Sequence, residues 1–109
     1  MISLDDRRRA LEDKYILDFE RSHKVRARRN RLLAEWVAAA IGRNDVDAYV
    51  NEVVATAIAS PEDSNLLQKI RADFSAAGRA ADEALLREKM HDLMYMAAEA
   101  MEREDATQR

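Results

Sequence analysis

A chain of 109 residues with no cysteine, two glycines, one proline and a formal charge of −3 has the length of one compact domain and the composition of a helical one. Lack of thiols excludes disulfide frameworks, thiolate metal sites and cysteine nucleophiles, and is compatible with a reducing compartment, so a cytoplasmic location is expected. A charged fraction of 36% with 6% aromatics argues against a sandwich or barrel, and the longest uncharged run, Val53 to Pro61, is about half of what spans a bilayer.

The first twenty residues stand apart. Between Leu4 and Phe19 the apolar residues Leu11, Tyr15, Ile16, Leu17 and Phe19 are spread around the helical cylinder, while Asp5 with Arg9 and Glu20 with Lys24 make acid-to-base pairs at i,i+4. Such a stretch has helix propensity but no face broad enough to dock on its own domain. Residues 1–20 are therefore expected to form an arm that is flexible when free and helical when a partner covers it. The polar, charged start carries no apolar signal region, so secretion is not expected.

Residues 21–105 read as a four-helix bundle. Val25, Leu32, Leu33, Trp36, Val37, Ala40 and Ile41 form one stripe that stops at Gly42, which predicts a helix over about 22–41. After Asn44 and Asp45, the residues Val46, Tyr49, Val50, Val53, Val54, Ala57 and Ile58 repeat at helical spacing over 46–59. Ser60-Pro61-Glu62-Asp63 then reads as a helix start: a serine oxygen for an orphan amide, proline in the first position and acids at the positive dipole end. This third helix, 61–77, turns Leu66, Leu67, Ile70 and Phe74 inward and ends at Gly78. Asp82 opens a fourth over 82–103, with Leu85, Leu86, Met90, Leu93, Met94, Ala97 and Met101 on one face. Fraying is expected from Glu102, and residues 106–109 form a disordered tail.

Charge is unevenly spread: residues 1–31 hold ten Lys or Arg against six acids, and the rest of the chain eight against fifteen. A basic amino-terminal third on an acidic body is either a binding device or a solvated helix. Catalytic templates are missing. The two glycines lie too far apart for a phosphate cradle, and His23 and His91 fall on different helices outside any metal-ligand spacing. Glu99, Glu102 and Asp105 read as solvated charge, and no convergent pair is placed for acid–base work. No catalytic residue and no metal site are expected. The alternative reading is a helical nucleic-acid-binding protein using Arg7-Arg8-Arg9 and the six positive charges from Arg21 to Arg31. An acidic body and the want of interleaved aromatics count against it, as the absence of a bulky apolar face opposite Arg26 to Arg31 counts against a membrane-surface helix.

The run Leu4-Asp5-Asp6-Arg7, then Ala10-Leu11-Glu12, Lys14-Tyr15, Asp18, Lys24 and Ala27-Arg28-Arg29-Asn30-Arg31-Leu32-Leu33, closing on Trp36 and Ala38-Ala39, resembles the zeta subunits, the ATPase-inhibitor subunits of alphaproteobacterial F-type ATP synthases. Glu52-Val53-Val54, Leu67, Lys69-Ile70-Arg71, Ala76-Ala77-Gly78 and Lys89-Met90 with Leu93 extend the likeness over nearly the whole chain. The resemblance implies an all-α four-helix bundle with a mobile amino-terminal segment. That segment would insert as a helix at a catalytic interface between the alpha and beta subunits, near the gamma rotor, and block ATP hydrolysis. By position it implies an inhibitory contact through Leu4, Asp5, Arg7, Leu11, Glu12, Lys14, Tyr15, Asp18 and Phe19, with Arg26, Arg28, Arg29 and Arg31 as a secondary basic contact. It implies no cofactor, although a regulator of an ATPase admits weak adenine-nucleotide binding in an inter-helix groove. The partners expected are the alpha, beta and gamma subunits of the catalytic head, with no specific nucleic acid and no direct membrane insertion. Free protein is expected to be monomeric, and cytoplasmic, peripheral to the inner membrane through the synthase.

Overall fold

The computed structural model describes residues 3–108, with the side chains of residues 11, 12 and 14–17 left out of the description. Among the described residues there are four helices and no strand: α1 (Leu4–Ile41), α2 (Val46–Ala59), α3 (Asp63–Ala76) and α4 (Glu83–Thr107). None is long and apolar enough to cross a membrane.

Helix α1 corrects the expected start at residue 22. Its 38 residues run unbroken from Leu4, giving a rod of about 57 Å at 1.5 Å per residue, and the molecule measures 65 × 28 × 24 Å. Ser3 starts it: the hydroxyl accepts a hydrogen bond from the Asp6 amide at 3.1 Å, and Asp5 and Asp6 lie at the positive end of the helix dipole. The Ser3–Asp6 spacing of a capping box was the signal available for this start. A wide apolar face is needed to nucleate and dock a helix but not to propagate one, and here the docked second half of α1 supplies the nucleus.

The other end of α1 agrees with the sequence reading. Gly42 takes the left-handed conformation at φ 77°, and the Arg43 amide donates to the Ala38 carbonyl at 2.9 Å. A Cβ at Gly42 would meet nothing within 4 Å, so Gly42→Ala acts through torsional strain alone. We expect a loss of about 1 kcal/mol, seen as a fall in Tm of roughly 4–8 °C. An unchanged Tm would mean that the turn relaxes to negative φ.

Helix α2 spans the predicted 46–59 and buries Tyr49, Val50 and Val53. Ile58, expected inward, is 78% exposed because the last turn of α2 runs beside an open groove instead of a packed neighbour. Helix α3 begins at Asp63, two positions later than read from Pro61. Ser60, the residue before proline, is held extended at φ −147°, ψ 108° and closes α2; its hydroxyl accepts from the Asn65 side-chain amide at 2.5 Å. No side chain caps the α3 backbone at Glu62. Leu66, Leu67, Ile70 and Phe74 are buried as expected, and Gly78 at φ 73° follows the last turn, where the Arg79 amide reaches the Phe74 carbonyl at 2.9 Å.

Helix α4 starts on Asp82, whose carboxylate accepts from the Ala84 amide at 3.1 Å, and it continues past the expected fraying point at Glu102 to Thr107. Leu86, Met90, Leu93 and Ala97 form its buried line, whereas Leu85, one residue and about 100° off that line, is 57% exposed and not part of the core. All four helices feed one buried cluster, with Leu33, Ala34, Val37 and Ala38 as the contribution of α1. Trp36 packs at its edge, its ring 6.1 Å from that of Phe74 and 5.3 Å from the Lys89 ammonium.

Candidate interaction arm and its anchorage

Every described side chain from Ser3 to Lys24 is exposed, and burial begins only at Val25. Leu4 (82% exposed) and Phe19 (67%) hold apolar surface in water at both ends of this stretch. Positions 4, 7, 11, 14, 15 and 18 fall at i, i+3, i+7, i+10, i+11 and i+14 along one line of the helix, with 5, 12 and 19 in a parallel line beside it. Of the expected arm contacts, Leu4, Asp5, Arg7, Asp18 and Phe19 are thus brought together on an exposed helical segment. The side chains of Leu11, Glu12, Lys14 and Tyr15 lie outside the described residues.

The arginines of the second half sort differently. Arg29, grouped by sequence with the basic contact, is 2% exposed. Its guanidinium donates to both oxygens of Asp63, at 2.7 and 3.3 Å, and to the Asn30 side chain at 2.8 Å, pinning α1 to the first turn of α3. It is therefore a structural residue in this fold and not part of an open basic face. The signal for this was its place four residues before Leu33 and eight before Val37, on the core line; residue type outweighed position in the reading. Arg28 is ion-paired with Glu104 at 2.7 Å, Arg26 donates to the Pro61 carbonyl at 3.2 Å, and Arg31, with Glu35 at 3.4 Å, is the most open of the four.

A second polar network, unread in the sequence, joins the α1–α2 turn to α3. Arg43 pairs with Asp45 and Glu52, both at 2.6 Å, and Lys69 with Glu52 at 3.2 Å and Asp73 at 3.0 Å. The fully buried Tyr49 ring has the Arg43 guanidinium 4.8 Å and the Lys69 ammonium 5.3 Å from its centre, and its hydroxyl donates to Asp73 at 2.7 Å. Burial, reinforced by that hydrogen bond, pushes the phenol far above its ordinary range. Arg43–Asp45 and Lys69–Asp73 are local pairs, but the ties that join the elements, Arg43–Glu52, Lys69–Glu52 and Tyr49–Asp73, span 9 to 24 residues and carry no local pattern.

Hydrogen bonds from arginine hold four carboxyls below the usual carboxylate range: Asp63 beside Arg29, Glu52 and Asp45 beside Arg43, and Glu104 beside Arg28. A depressed folded-state pKa contributes stability that is complete above the unfolded value, about 4, and is lost as pH falls through the folded one. The urea midpoint is therefore expected to be higher at pH 7 than at pH 3, with the decline confined to the acid side of about pH 4.5. A midpoint that rises on acidification would contradict these pairings.

Between α1 and the α2–α3 corner lies a groove of about 400 Å³, with Val54, Ala57, Ile58 and Leu66 along its apolar wall and His23 and Arg26 on its rim. Among the described residues no group of three His, Cys, Asp or Glu is placed to hold a metal ion.

Fold and site together define an all-helical protein that projects a long exposed helix from a packed core and ties its buried and half-buried charges to one another. The chain belongs to the ATPase inhibitor subunit zeta family, whose profile matches residues 1–100 and so takes in the arm as well as the core. Comparison with curated proteins finds no match.

Proposed function

We propose that the chain is a regulatory, non-catalytic subunit that inhibits ATP hydrolysis by the F-type ATP synthase. Residues 1–20 enter a catalytic alpha/beta interface near the gamma rotor as a helix, while residues 21–105, a four-helix bundle, stay outside as the anchor. The observation that carries this reading, beside family membership, is the unbroken helix from Leu4 whose described side chains remain in water as far as Lys24. A helical segment with apolar residues and no partner of its own gains burial by entering a cleft. A catalytic cleft changes shape at every step, so a helix that fits one state better than the others shifts the population toward that state and slows turnover, without chemistry in the inhibitor. Leu4, Asp5, Arg7, Leu11, Glu12, Lys14, Tyr15, Asp18 and Phe19 form the contact. With Arg29 buried against Asp63, and Arg26 and Arg28 tied to the Pro61 carbonyl and to Glu104, Arg31 is the most open member of the basic group. The protein acts in the cytoplasm, bound at the inner membrane through the synthase, and needs no cofactor.

The direct test adds purified chain to the detached catalytic head of the synthase from its own source and follows ATP hydrolysis. A dose-dependent fall is expected; turnover unaffected by excess chain would remove the proposal.

A further inference from the structure

Two adjacent carboxylates at the end of α4 reach back to the base of the arm. Asp105 holds Arg21 at 2.5 Å and Glu104 holds Arg28 at 2.7 Å. On α1 these arginines are seven residues apart, two turns on the same face, or about 10 Å. Both pairs join positions more than seventy residues apart in sequence. From the geometry we infer that Glu104 and Asp105 form a clasp that fixes where the arm leaves the body, so that the last turns of α4 set the free length of α1.

Among the described residues, the Arg21–Asp105 pair is the outermost tie between α1 and another helix. With the clasp closed, α1 is held from Arg21 inward. With it open, the first holds are the half-buried Val25 and the Arg26 bond to the Pro61 carbonyl, more than one turn deeper. The free helix lengthens by about 7 Å, and the segment between joins the arm. Neither pair is buried, so each is weak and screened by salt, which suits a latch that opens and closes more than a permanent staple. The clasp also accounts for the helix continuing through Glu102 to Thr107, since Glu104 and Asp105 anchor its final turns. For function, which rests on the inhibitory reading above, a closed clasp presents the arm with less freedom left to lose on insertion.

The test uses the full chain. Glu104→Arg with Asp105→Arg breaks both pairs, and the same changes combined with Arg21→Asp and Arg28→Glu restore them with the charges exchanged. Amide hydrogen exchange over residues 21–27 at low ionic strength is expected to accelerate about fivefold in the broken form, while residues 33–40 stay protected. The exchanged-charge form returns most of that protection, and 0.5 M salt loosens the parent in the same segment. Unchanged exchange in the broken form overturns the clasp. So does an acceleration that the exchanged charges fail to reverse, because α4 would then matter through packing and not through pairing. The broken form is also expected to need several-fold more protein for half-inhibition of ATP hydrolysis. A parent chain with no inhibitory effect would refute the functional reading and leave the exchange result to decide the clasp by itself.

Discussion

Removing residues 1–20 is expected to abolish inhibition of ATP hydrolysis while leaving the core folded, with Tm within a few degrees of the full chain. The two outcomes separate because the described side chains of this segment are all exposed. None belongs to the buried cluster, which begins on α1 with Leu33 and is supported from Arg29 inward. Truncation removes the Ser3 cap and the first turns of a helix, worth about 1 kcal/mol at such a terminus, but no described core contact. The body keeps the Arg29–Asp63 pin, the Trp36–Phe74 contact and the Tyr49 network. The measurements are helical circular dichroism on heating and the hydrolysis assay with the catalytic head. A truncated chain that inhibits at the same concentration as the parent would place the inhibitory surface on the body.

Asp63→Ala is expected to produce the largest stability loss of any single polar substitution in the molecule. Arg29 is almost fully buried, and Asp63 meets its guanidinium with both oxygens. Taking away the carboxylate leaves a cation in the core with only Asn30 beside it. Losing one partner of a buried pair is worth about 3–5 kcal/mol. The Asp63 side chain is 44% exposed, so water reaches the vacated position, and we expect about 2–3 kcal/mol, or a fall in Tm of roughly 10–20 °C. Arg29→Met in the same background should recover part of the loss, because it removes the stranded charge and keeps an unbranched chain in its place. A Tm shift under 3 °C for Asp63→Ala would show that solvent satisfies Arg29.

What the sequence made legible follows from how local each signal is. Helix α2 has its expected bounds because Gly42, Asn44 and Asp45 stop one helix and start the next within four positions, and the inward line of α3 was read without error. Ile58 and Leu85 were misplaced because periodicity tells which way a side chain points, not whether a neighbouring helix covers it. Arg29 was misplaced for the converse reason: a charge on the core line finds its partner 34 residues away, where no local pattern announces it. The same distance problem hid the Tyr49 network and the ties from α4 to Arg21 and Arg28. Composition and spacing pointed to an unpartnered arm but not to a target; the target is what the resemblance implies, and the family match, which takes in that segment, shows membership of an inhibitor-subunit family.

The sole tryptophan lies in the docked half of α1, against Phe74 of α3 and Lys89 of α4. Its emission therefore reports how three helices meet and is blind to events near Leu4. A fluorophore placed on the opposite tip would make the two ends of one continuous rod optically independent, so that engagement of a partner at the tip and loss of tertiary packing could be timed separately in a single sample.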